Sequence, residues 1–160
     1  MESEQLLGAY RVPFDVNSVV SKLSAHHNDS VWETLWENLY HQGDIGEASL
    51  YFVSIIAEKV EKLQLLHDWN PVAMVVAIDM ARTTNGFSML PGWVSEVYVK
   101  GIAKLSELVT LRLSQPCDHM YLKCALAFVA LKNGHRDLAK LIFEVDEGDE
   151  SRALELYFSH

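Results

Sequence analysis

The sequence predicts an all-α fold made of antiparallel helical hairpins stacked as a short solenoid, and three observations predict it. Apolar residues return at the 3.6-residue spacing of helices in one segment after another. Gly, Pro and Asn break the chain between those segments, and no stretch alternates apolar with polar residues as a half-buried strand would. The hairpins also begin at a nearly constant interval. At 160 residues, 49% of them apolar, the chain is expected to form one domain over residues 1–160 with a sizeable core.

An N-terminal arm and a first helix are expected over residues 1–29. Gly8 and Pro13 break the arm. Asp15 or Asn17 then caps a helix that carries Val16, Val19, Val20 and Leu23 and fades at His26, His27 and Asn28.

The first hairpin, residues 30–66, is the clearest. Val31, Trp32, Leu35, Trp36, Leu39 and Tyr40 collect on one helix face, with Ser30 as the expected N-cap and Glu33 completing a capping box. Gly43 should stop this helix, and Asp44 should turn the chain into the next. The second stripe runs through Ala48, Tyr51, Phe52, Ile55, Ile56, Val60 and Leu63. So short a connection predicts that the two stripes bury each other.

Pro71 opens the second hairpin, residues 71–113, because its missing amide hydrogen would be unpaired in a first turn anyway. From Val72 to Ile78 that helix is apolar all round, so it should sit centrally. Asn85 and Gly86 end it. Pro91 and Gly92 restart the chain into a long helix towards Leu113, and Pro116 marks the next boundary. The third hairpin, residues 118–145, turns at Asn133 and Gly134. An acidic C-terminal tail follows, with a short terminal turn expected over Arg152 to Phe158. First helices begin 40 and 47 residues apart and second helices 45 and 44 apart. HEAT and armadillo repeats recur at about 40–47 residues; a plain up-and-down bundle is the alternative.

Charge narrows the function. A net charge of -9 repels nucleic-acid phosphate and an anionic membrane surface, and suits a basic partner. The acidic start MESEQLLGAY lacks the basic region and apolar core of a signal peptide, and the apolar run from Val72 to Ile78 falls short of the ~20 residues of a membrane span. A cytoplasmic protein is expected.

Candidate chemistry is sparse. Cys117, Asp118, His119 and Cys124 lack paired C-x2-C spacing, so a capped helix start with a buried cysteine is expected there, with no metal and no cofactor. Asp79, a carboxylate in an apolar helix, should pair with Arg82 at i+3. No H-E-x-x-H, G-x-S-x-G or phosphate-binding loop is present. The remaining signal is surface acidity. Glu33, Glu37, Asp44 and Glu47 surround the first hairpin, and Asp146, Glu147, Asp149 and Glu150 follow the last. Trp69, with Trp93 beside it as a second candidate, would anchor a partner.

Two blocks carry a family likeness: LWENLYHQGDIGEASLYFVSII, Leu35 to Ile56, and ALKNGHRDLAKLI, Ala130 to Ile142. They resemble small bacterial HEAT-like-repeat proteins, in which a helix ending in His-Gln-Gly precedes an Ala-Ser helix start and a later Gly-His turn opens another helix. The matching residues here are His41, Gln42, Gly43, Ala48 and Ser49, then Gly134 and His135. Ser54 departs from the pattern, standing where a proline is expected. The resemblance implies an immunity protein that binds and neutralises a bacterial toxin domain, with no catalytic residues. An adaptor scaffold is the second expectation. An enzyme using His119 or His135 is disfavoured.

Overall fold

The computed structural model describes residues 6–145 together with Gly148, Asp149 and Arg152. Among these residues seven α-helices follow one another: α1 Val16–Val20, α2 Asp29–Leu39, α3 Glu47–Lys62, α4 Asn70–Arg82, α5 Gly92–Leu113, α6 His119–Lys132 and α7 Arg136–Glu144. No strand occurs among the described residues, where only isolated bridges join Leu7 to Pro13 and His41 to Asp44. The all-α expectation holds.

The arm does structural work. A 3-10 turn at Ala9–Arg11 lies within it, and the Leu7 carbonyl accepts the Ala48 amide at 2.9 Å. One free N–H of α3 is thereby paired by backbone rather than by a side chain. Only glycine fits at position 46, since a Cβ there would lie 2.1 Å from the Leu7 oxygen. Asp15 caps α1 by accepting from the Ser18 amide at 3.1 Å, as expected, but the helix lasts five residues.

Two boundaries of the first hairpin differ from expectation. The N-cap of α2 is Asn28, and Ser30 lies inside the helix. Asn28 is occupied elsewhere, its amide bridging the Ser24 N–H at 2.9 Å and the Ser24 carbonyl at 2.7 Å. At the other end α2 stops at Leu39, not Gly43, because Tyr40 is already extended. His41 and Asp44 then exchange backbone hydrogen bonds at 3.1 and 2.8 Å across Gln42 and Gly43, both at positive φ. This is a two-residue reverse turn of the hairpin kind, with glycine at one of the two left-handed positions. Asn85 fastens it to the end of α4 by donating to the Gly43 carbonyl at 2.6 Å.

Packing departs from the expected hairpins in one respect. The stripes of α2 and α3 do not form the main contact; α3 packs most extensively on α5, and α4 on α6, while α2 touches α4. Like helices of successive hairpins thus meet, and α6 with α7 is the one hairpin whose own helices pack extensively. Small residues explain the closest approach: a Cβ on Gly101 would lie 2.4 Å from the Val53 carbonyl oxygen and 3.1 Å from the Ser54 Cα. Ser54 therefore sits at the α3–α5 crossing, its hydroxyl returned to the Tyr51 carbonyl at 2.6 Å. The buried face of α3 turns accordingly, adding Leu50, Val53 and Ala57 and leaving Tyr51 and Ile55 half-buried. Every residue of α4 from Pro71 to Ile78 is buried, so this helix is central as its composition predicts. Among the described residues no helix is long and apolar enough to cross a membrane.

Candidate functional site

The sequence directs attention first to acidic surface. On α2 the buried residues are Trp32, Leu35 and Leu39, which turns Glu33 and Glu37 outward, both exposed. Asp29 is exposed one turn earlier, so three carboxylates recur at i, i+4 and i+8 along one edge. Sequence reasoning missed Asp29 because a cap at Ser30 would leave it outside the helix; the four-residue spacing was the available signal. From Leu23 to Glu58 there is no Lys or Arg and there are six carboxylates.

The other predicted acids differ in setting. Asp44 is half-buried, and its Oδ2 accepts from the Tyr10 amide at 2.7 Å. Glu47, also half-buried, begins α3, where the helix dipole favours a carboxylate; its Oε2 is buried with no hydrogen-bond donor among the described residues. Asp149 is exposed. Asp146, Glu147 and Glu150, and the terminal turn apart from Arg152, lie outside the described residues. Tyr40, the C-cap of α2, has its hydroxyl pKa raised by burial and then by the Glu144 carboxylate.

Trp69 is half-buried against the core at the N-cap of α4. It borders a groove of about 510 Å³ with Trp32, Asp68 and the imidazoles of His26, His27 and His67. Asp68 is the structural hub there: it accepts from the Trp32 indole at 2.6 Å and from the Asn70 amide at 2.9 Å. Trp93, by contrast, stands exposed on the first turn of α5.

The expected Asp79–Arg82 pair forms, Nε to Oδ1 at 2.7 Å. The same oxygen also accepts from the Tyr98 hydroxyl at 2.7 Å. Arg136 adds a longer contact of 3.5 Å to Oδ2 and donates to the Asp79 and Met80 carbonyls at 2.8 and 3.0 Å. Burial, then the Asp79 carboxylate, push the Tyr98 pKa far up, so the phenol stays a donor. Tyr98 and Arg136 were not legible as partners of Asp79, since they lie 19 and 57 residues away.

Asp118 caps α6 by accepting from the Tyr121 amide at 2.8 Å, and Cys124 is buried while Cys117 is half-buried. Burial pushes the Cys124 thiol up to about 11. Among the described residues no three His, Cys, Asp or Glu side chains are grouped as a metal would require. In comparisons with protein-family models, curated proteins and solved structures, nothing matches this chain.

Proposed function

We propose that this is a binding protein that neutralises a basic protein partner, most specifically an immunity protein that occludes the active site of a cognate bacterial toxin domain in the cytoplasm. The single observation that carries this reading is the acidic edge of α2. Like charges four residues apart destabilise a helix, yet Asp29, Glu33 and Glu37 stand in that relation, exposed and without an ion pair among the described residues. Carboxylates that repel one another along an exposed edge are suited to an outside partner, whose approach they would steer. The contacts of α2 with α4, of α4 with α6, and of α3 with α5 support reading the fold as a HEAT-like α-solenoid, a kind of stack that offers extended surfaces to protein partners.

Co-expression tests the reading. A toxin encoded beside this chain should be tolerated by the host when this chain is present, and E33K/E37K should lose that protection while remaining folded. Protection by the variant equal to that of the unaltered chain would sink the acidic-edge reading. The second reading, an adaptor scaffold, is favoured by the exposed leucines of the last hairpin, Leu122, Leu126, Leu138 and Leu141. In that case capture from the native host would return a partner held by Leu126 and indifferent to Glu33.

A further inference from the structure

A cleft of about 380 Å³ lies where α4, α5, α6 and the start of α7 meet. Its size falls in the range of small-molecule sites, about 300–1,000 Å³. Val75, Leu90, Ile102 and Phe128 give it an apolar lining, while its charged side chains are Arg82, Lys132 and Arg136 against the single carboxylate of Asp79. In a chain of net charge -9, this concavity is locally cationic.

The hydrogen bonds show which donors remain. Asp79 is occupied by the Arg82 Nε, the Tyr98 hydroxyl and the longer Arg136 contact. The Nη2 of Arg136 is spent on the Asp79 and Met80 carbonyls near the end of α4, where a cation suits the helix dipole. Arg82 gives Nη1 to the Phe87 and Ser88 carbonyls, each at 3.1 Å. Its Nη2 makes no hydrogen bond among the described residues, although the side chain is only 20% exposed. Lys132, in the last turn of α6, holds its ammonium on the Ser106 hydroxyl at 2.6 Å, a neutral partner, beside a depression that Glu107 also lines; it makes no ion pair among the described residues.

We propose that this cleft binds a small amphipathic monocarboxylate, its head between Arg82 Nη2 and the Lys132 ammonium and its hydrocarbon body on Val75, Ile102 and Phe128. A carboxylate gains charge-assisted hydrogen bonds at both donors. The apolar body gains the burial that a bare anion lacks. This inference stands apart from the toxin-binding reading, since it uses another part of the molecule.

Isothermal calorimetry with octanoate tests it, with acetate and octylamine as controls. Octanoate should bind saturably at one site, acetate at least tenfold more weakly, and octylamine more weakly still. Lys132→Glu, a change at an exposed side chain, should weaken octanoate at least tenfold. Ile102→Trp should fill the cleft and abolish binding, its melting curve showing that it folds. Absence of saturable octanoate binding, equal affinity for octylamine, or octanoate affinity unchanged in Lys132→Glu would each overturn the proposal, while protection against a toxin could still hold.

Discussion

Trp32 and Trp36 lie one helical turn apart on α2, and their surroundings differ enough to separate two kinds of contribution. Trp32 is 3% exposed and gives its indole N–H to Asp68 at 2.6 Å. Trp36 is half-buried, gives its N–H to Asn70 at 2.9 Å, and meets Tyr40 edge-on at 6.0 Å. Removing a buried indole leaves a cavity, so Trp32→Ala should destabilise by about 3–5 kcal/mol, and Trp36→Ala by clearly less. Urea unfolding of the two variants checks the order. The burial of Cys124 gives a second residue-level prediction, in pH. Its folded thiol is pushed up to about 11 from an ordinary 9.0, and burial pushes Tyr121 up to about 12 from 10.0. A raised folded pKa holds its proton where the unfolded chain has lost it. The associated stability is therefore complete below pH 9 and lost as pH climbs through 9 to 12. The urea midpoint should fall over that window, and Cys124→Ala should reduce the fall between pH 9 and 11.

Between elements, the decisive contact is the crossing of α3 and α5 at Gly101. A methyl group there meets backbone at Val53 and Ser54, which cannot swing away as a side-chain tip would. Gly101→Ala should destabilise by roughly 1–3 kcal/mol, the usual effect of overpacking. Gly92 provides the control: it opens the same helix, and a Cβ there meets nothing within 4 Å. Gly92→Ala should stabilise by about 0.4–1 kcal/mol through the unfolded chain. Thermal melts of the pair would show opposite shifts. The same crossing marks where sequence legibility ended. Helical periodicity reports which face of a segment is apolar, and it located α5 at Gly92–Leu113 and the centrality of α4 from their residues alone. It does not report which other face will meet it. Adjacency in sequence pairs the α2 and α3 stripes, whereas the small residues Ser54 and Gly101 let α3 and α5 approach closely. The acidic edge was legible at Glu33 and Glu37 because exposure follows from phase. Arg136 beside Asp79 was not, because a contact across 57 residues leaves no local pattern.

Across the whole molecule, charge is unevenly shared, and this makes stability and binding separable. Asp29, Glu33 and Glu37 repel one another along α2, so Glu33→Lys replaces two unfavourable i,i+4 relations with two favourable ones. Each such pair is worth about 0.2–0.5 kcal/mol, and the variant should be as stable as the unaltered chain or slightly more so. Its affinity for a basic partner should nevertheless fall, through slower association, because a steering charge has been reversed. Raising ionic strength should weaken the unaltered complex more than that of the variant, since exposed charges are screened over about 10 Å at 0.1 M salt. Measuring melting temperature and association rate on the same Glu33→Lys preparation sets the two effects against each other. A helix edge serving only solvation would give a higher or equal melting temperature with no change in association rate, and that result would remove the physical basis for assigning α2 to partner recognition.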